Sequence, residues 1–248
     1  MQLAELNQYL SQYLRPFEFN DYCPNGLQVE GKVKVNKIVT GVTASMELLT
    51  QAHAAKADAI LVHHGYFWKN ESQVVTGIKK HRLQFLLANE INLFAYHLPL
   101  DAHAEVGNNV MLGKQLGLAV AGFLDEKKMM PYTILDKPLS LKVLRKRIST
   151  ALNREALLIG NEAKEVCKIA WCTGAAQHYL EQAINYDVDV FISGEISEQT
   201  VHLARESNTS YIAAGHHATE RYGIQALGEH LAQKFNLEHD FIDVENPV

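Results

Sequence analysis

Three cysteines in 248 residues, Cys23, Cys167 and Cys172, are too few and too irregularly spaced for a disulfide framework, and the Cys167/Cys172 interval is not that of a zinc ribbon. They read as reduced thiols of a cytoplasmic protein. No apolar run approaches the length of a transmembrane helix. Met1 to Leu6 carries neither a basic nor an apolar signal region, so no signal peptide is expected; Leu3, Leu6 and Leu10 instead share one helical face. Positive charge is not in excess. A formal charge of −5 disfavours a dedicated nucleic-acid surface. Gly-x-Gly-x-x-Gly, P-loop and Gly-x-Ser-x-Gly motifs are absent, which argues against a dinucleotide site, a P-loop NTPase and a serine hydrolase.

What is present is a normal globular balance, 47% apolar and 21% charged, in short β-type runs that alternate with helical stretches. Lys37–Val42, Ala57–His63 and Ile91–His97 read as strands. Ser45–Ala55, with Ser45 as N-cap, and Gly77–Asn89 read as helices. The alternation predicts an α/β fold with largely parallel strands buried on both faces.

The pattern then recurs. Lys168–Gly174 repeats the first strand at an offset of 131, and Asp189–Glu195 repeats Asp58–His64 at the same offset. Tyr211 through Glu220 matches Leu93 through Asp101, pairing His97 with His216 and Asp101 with Glu220 at an offset of 119. The duplication predicts two related α/β halves that bring equivalent strand ends to one shared cleft. The repeats span 1–124 and 168–248, with an inserted segment at 125–167 carrying Pro131, Pro138 and an amphipathic helix, Leu139–Leu152. The basic run Lys142, Arg145, Lys146 and Arg147 reads as a solvated helix face, with a phosphate-facing role the weaker alternative.

Imidazoles and carboxylates collect at the strand ends, as a divalent metal site requires. Val62-His63-His64-Gly65 closes one apolar run and Gly215-His216-His217-Ala218-Thr219-Glu220 follows another, with His97-Leu98-Pro99-Leu100-Asp101 between them. Neighbouring strand side chains point to opposite faces, so His63 and His64 would reach two different ions, or one would be a ligand and the other its support. If a helix begins at His216, that residue and Glu220 share a face of its first turn, while His217 is left as a neighbour. Pro99 argues against regular structure between His97 and Asp101. Twelve histidines raise the background, and His53, His81, His178, His202, His230 and His239 show no partner pattern. Even so, His63, His64, Asp101, His216 and Glu220 together make three imidazoles and two carboxylates. That mixed set exceeds one tetrahedral site and suits a dinuclear pair of Mn, Fe or Zn ions doing hydrolytic chemistry. Asp21–Gly31 reads equally as a structural turn or as a loop bordering the site, and Glu195 as a helix-start acid or a site residue.

The phrases Asn25-Gly26-Leu27-Gln28-Val29-Glu30-Gly31, Val62-His63-His64-Gly65, His97-Leu98-Pro99-Leu100-Asp101, Ser193-Gly194-Glu195 and Gly215-His216-His217-Ala218-Thr219-Glu220-Arg221 closely resemble the Nif-three-like family. Its bacterial members are commonly labelled GTP cyclohydrolase I type 2 homologs. The resemblance runs from about Asp21 to Asn246. It implies two interlinked, internally duplicated α/β lobes with a metal cleft between them, two divalent metal ions per chain held by His63, His64, Asp101, His216 and Glu220, with Glu220 bridging, and His97 nearby as a support or proton-transfer residue. It also implies a toroidal homohexamer. The expected activity is hydrolysis of a small nucleotide-like substrate; the rival is a non-catalytic metal-binding scaffold or regulator.

Overall fold

The computed structural model describes residues 1–248, which divide into two compact units. The first comprises Met1–Gly107 and Ile224–Glu245; the second comprises Asn108–Gly223 and Asn246–Val248. No helix is long and apolar enough to cross a membrane.

In the first unit, α1 (Leu3–Leu14) buries Leu3, Leu6, Leu10 and Leu14 at helical spacing. Glu5 closes a capping box on Gln2 at the start of that helix. β1 (Gly26–Val29), β2 (Lys37–Thr43), β3 (Ala59–His64) and β4 (Asn92–Ala95) follow, with α2 (Met46–Ala54) and α3 (Gly77–Ala88) as crossovers. Ser45 accepts from the Leu48 N–H at 3.2 Å, the expected N-cap of α2. β2, β3 and β4 are parallel and β1 runs antiparallel on the β4 edge. The opposite edge is closed by β11 (Glu238–Phe241), parallel to β2, so the end of the chain completes the first sheet. Val39, Leu48, Leu49, Ile60, Val62, Leu86 and Leu93 form the core beneath it.

The second unit contains α5 (Asn108–Leu116), β5 (Gly122–Phe123), β6 (Pro131–Ser140), α6 (Leu141–Leu152), β7 (Leu157–Ile159), β8 (Glu165–Trp171), α7 (Leu180–Asn185), β9 (Val190–Ser193), α8 (Glu198–Glu206) and β10 (Ser210–Ala213). Its sheet order is β5-β6-β8-β9-β10-β7, with β8, β9 and β10 parallel. Residues 125–167 supply β6 and β7 of this sheet, the helix α6 between them and the start of β8. The helix expected from Leu139 starts at Leu141, because Ser140 caps it and Leu139 pairs with Val166 in the ladder. Burial on both faces explains the continuous apolar strands. Ile169, Trp171, Val190, Ile192 and Ile212 pack on one side, and Ala170, Cys172, Phe191 and Tyr211 on the other. α9 (His216–Phe235) begins in this unit and continues into the first.

The duplication is visible in the strand registers. Ile38 pairs with Ala59 and Ile169 with Val190, the same pairing displaced by 131 on both strands. Each copy carries the same carboxylate staple. Asp58 accepts the backbone N–H groups of Asn36 and Lys37 at 2.9 and 3.1 Å, and Asp189 those of Cys167 and Lys168 at 2.8 Å each. The third strand needs a correction. Asn92 pairs with Ala59 and Ser210 with Val190, an offset of 118, so the 119 that relates His97 to His216 includes one extra residue between strand and helix. The expectation for Pro99 is also overturned. Leu98–Asp101 forms a short helix, α4, with Pro99 in its first turn, where the N–H that proline lacks would have had no intrahelical partner anyway. The Asp101 N–H reaches the His97 carbonyl at 3.1 Å, so these two residues are one helical turn apart.

Candidate metal-binding groups

β3 ends the first unit's central strand pair with its two histidines. His63 is fully buried and its Nδ1–H donates to the Tyr96 carbonyl at 2.9 Å, which directs Nε2 toward Asp101, 3.5 Å away. Thr43, the residue opposite His64 in the last register pair, lies with its hydroxyl 3.1 Å from His64 Nδ1. The two imidazoles do not diverge as an extended strand would require; their centroids are 4.5 Å apart and tilted by 44°. At the strand end the two neighbours, with His97, bring one ring nitrogen each to within 4.8 Å of one another, a spacing that one cation could bridge. Asp101, also buried, reaches this group from α4.

His97 is positioned by the loop before β1. Its Nδ1–H donates to Asp21 Oδ1 at 2.7 Å, and its backbone N–H to Asn25 Oδ1 at 2.7 Å. Asp21 also accepts from Tyr22 N–H, Asn25 Nδ2 and Leu98 N–H at 2.6, 2.8 and 2.9 Å. Burial would raise the Asp21 pKa, but the His97 bond and charge together with the Asn25 and Tyr22 bonds outweigh it and hold the carboxyl below its usual value. The loop is therefore part of the site. Cys23 lies within the same spacing of Asp21 and His97, its thiol pushed up to about 12 by burial and by the Asp21 charge.

In the second unit, α9 opens with His216, and Glu220 follows one turn later with its carboxylate 3.1 Å from His216 Nε2. On the other side of the ring, Nδ1–H donates to Glu195 at 2.7 Å. Glu195 is thus a site acid, the second of its two sequence readings. Burial disfavours a charged imidazole here, but Glu220 and Glu195 override it and raise the His216 pKa to about 9. Gly174, at φ +67°, lets the chain pass against this pair; a Cβ there would collide with Glu220 Oε1. His217 donates its backbone N–H to the Val248 carbonyl and is in none of the candidate ligand groups.

All four site histidines, His63, His64, His97 and His216, engage Nδ1 with a partner inside their own unit. A bond at one ring nitrogen selects the tautomer and orientation in which the other binds metal, and carboxylate partners also increase its basicity. Buried carboxylates at Asp101 and Glu220 supply the negative charge that a divalent ion would balance. The donor set therefore fits metal ions; Asp21 and Glu195 are supporting acids, Glu195 in one of the two roles its sequence position allowed and Asp21 not singled out within its loop.

The profile of one family, described as Duf34/NIF3 (NGG1p interacting factor 3), matches residues 1–247. A protein of Yersinia pestis named GTP cyclohydrolase 1 type 2 homolog is 53% identical over 249 residues, covering 100% of both chains. The Escherichia coli (strain K12) protein of the same name is 50% identical over 249 residues, again covering 100% of both. The crystal structure of TTHA1606 from Thermus thermophilus superimposes with a TM-score of 0.91 at 34% identity, covering 100% of each chain.

Proposed function

The chain belongs to the Duf34/NIF3 family, and from that premise we propose that it is a divalent-metal-dependent hydrolase of a small, nucleotide-like substrate. His63, His64, Asp101, His216 and Glu220 would hold two ions per chain, of Fe, Mn or Zn. The observation that carries this reading is the Nδ1 engagement of the three ligand histidines, His63, His64 and His216, which leaves Nε2 to serve as the ligand atom of each. The relatives' shared name supports the hydrolytic half of the reading.

Bound ions would supply an acidified water and polarisation of the substrate's electrophilic atom. The remaining work belongs to the chain. The Asp21 carboxylate holds the His97 ring through Nδ1, so that Nε2 is the atom at which a proton is taken up or delivered. Glu195 plays the same orienting part for His216. We further propose a cytoplasmic, toroidal homohexamer, for which sedimentation should give six times the 27.8 kDa chain mass.

The test combines metal analysis with turnover. Purified protein should contain about two ions per chain and, supplied with Mn, Fe or Zn, hydrolyse at least one member of a nucleotide and phosphoester panel. Asp101→Ala and Glu220→Ala should lose both metal and turnover. Full metal content in both variants refutes the ligand set. Metal-loaded wild type that turns over nothing on the panel leaves the scaffold reading in place of the hydrolase.

A further inference from the structure

The chain has two tryptophans, used in opposite ways. Trp171 is fully buried in the second unit's core. Trp68 is half-buried on the loop after β3, edge-on to the His97 ring at 5.1 Å between centroids and 6.0 Å from the His64 ring. Tyr22 lies against His97 as well, at 6.4 Å, with 62% of its surface exposed. The imidazole group is thus flanked by two large aromatic side chains that the core does not absorb.

Both loops are held in place. The Trp68 indole N–H donates to the Gly65 carbonyl at 3.2 Å, and Glu71 accepts the backbone N–H groups of Phe67 and Trp68 at 3.0 and 3.3 Å. Phe67 adopts φ +66°, a conformation a phenylalanine enters only when its surroundings impose it. Upstream, the Gln28 side-chain amide bonds both the N–H and the carbonyl of Tyr66, and the Tyr66 hydroxyl donates to the Ala44 carbonyl. The two aromatic loops are tied together by the Lys69 N–H donating to the Tyr22 carbonyl at 2.7 Å. A loop built merely to cover apolar surface would turn its tryptophan into the core beside Val62 and Ala95; this one spends a left-handed phenylalanine to hold it at the imidazoles.

We propose that Tyr22 and Trp68 form a stacking pair that receives a planar heteroaromatic ring of the nucleobase class and holds it beside His64 and His97. This rests on the proposed function and adds the residues that select its substrate. Planar π-systems stack on such rings with little regard to their hydrogen-bonding edge, so the pair would choose ring-bearing over ring-free ligands and discriminate weakly among bases.

The experiment is a titration of the purified, metal-loaded chain with guanosine, adenosine, cytidine and GTP, against ribose 5-phosphate and tripolyphosphate as ring-free probes. Calorimetry gives affinity; tryptophan fluorescence reports the ring, since Trp171 is shielded. The nucleosides and GTP should quench emission and the ring-free probes should not. Tyr22→Ala, at an exposed position, and Trp68→Leu should each weaken nucleoside binding on the order of tenfold, whereas Trp68→Phe stays within about threefold of wild type. An unchanged melting temperature in Tyr22→Ala keeps the test valid should Trp68→Leu fold poorly. The proposal is overturned if none of the nucleosides binds, if ring-free probes bind as tightly, or if Tyr22→Ala binds like wild type. Ring-dependent binding without turnover would refute the hydrolase reading alone, and turnover with KM unaffected by Tyr22→Ala would refute the stacking pair alone.

Discussion

Replacing Asp21 by asparagine tests the link between the amino-terminal loop and the imidazole group. The side chain is 3% exposed and accepts four hydrogen bonds, two on each oxygen: His97 Nδ1–H and Tyr22 N–H on Oδ1, Asn25 Nδ2–H and Leu98 N–H on Oδ2. An amide keeps the shape but offers one acceptor oxygen and turns its NH₂ toward two donors on the other side. Two bonds to a charged acceptor are therefore lost whichever way it is flipped. At roughly 1.5–3 kcal/mol each, the loss is about 3–6 kcal/mol before local relaxation, and relaxation of the loop brings the expectation toward the lower bound. Urea unfolding of Asp21→Asn should show a lower midpoint with an unchanged slope. The ring should respond as well: nitrogen-resolved NMR should find the His97 proton on Nδ1 in the wild type and a mixture of tautomers in the variant. Turnover should fall more than metal content, because Asp21 orients the proton-transfer residue and none of the five ligands. A stability change below about 1 kcal/mol together with an unchanged His97 tautomer would refute the assignment of Asp21 as the anchor of this histidine.

Glu195→Gln should weaken metal binding to a similar degree, roughly 10- to 100-fold, with little effect on unfolding because Glu195 is only half-buried; equal affinity in a metal-competition titration contradicts an orienting role. Gly174→Ala places a methyl group against Glu220 at a left-handed backbone position, so it should cost about 1–2 kcal/mol in thermal unfolding and reduce metal content; retention of full metal would show that Glu220 is not held by that contact. Asp58 has its pKa lowered: burial opposes the charge, but the Asn36, Lys32 and Lys37 bonds outweigh it. A folded-state pKa below the unfolded value means stability present above the unfolded pKa and lost as pH falls through the folded one. Asp58→Asn should therefore cost on the order of 1 kcal/mol at pH 7, after discounting for partial solvent screening, and lose that effect once the pH has fallen below the folded-state pKa. A difference that persists unchanged at acid pH would assign the effect to packing.

What the sequence made legible, and what it hid, follows from how far each feature depends on remote partners. Strand registers and the two-face burial of Val190–Ser193 and Ser210–Ala213 are local hydrophobic patterns, so the duplicated α/β framework could be read directly. The His63–His64 and His216–Glu220 groups sit at strand and helix ends, where the chain's own punctuation marks them. β6 was hidden because Asp136-Lys137-Pro138 breaks its polarity pattern. In the fold, the β6–β8 register shifts between Ile134 and Leu139, which accommodates the proline. Pro99 misled because a proline in a first turn and a proline that breaks a helix are the same residue, distinguished only by where the helix starts. The acid that would meet His97 was not readable: the Asp21 contact spans 76 positions, and nothing in a turn-rich loop says which side chain faces an imidazole. Trp68 escaped notice for the same reason.

The two supporting acids show how one framework was adapted in two directions. His97 and His216 correspond in the duplication, and each donates Nδ1–H to a carboxylate at 2.7 Å, but those carboxylates do not correspond. Glu195 stands at the end of the second unit's central strand, 131 positions after His64, so it occupies the place that His64 holds in the first unit. In the first unit that place is taken by a candidate ligand, and no acid remains there to orient His97. The support has to come from outside the repeated frame, and the loop before β1 supplies it through Asp21, with Asn25 fixing the backbone of the same histidine. This division predicts unequal consequences for one change. Shortening the loop between Phe19 and Asn25 should uncouple His97 and leave the Glu195–His216 bond intact, as read by the two histidines' separate tautomer signals. Simultaneous loss of both signals would mean that the supports are not independent, and that the loop stabilises something more than one imidazole.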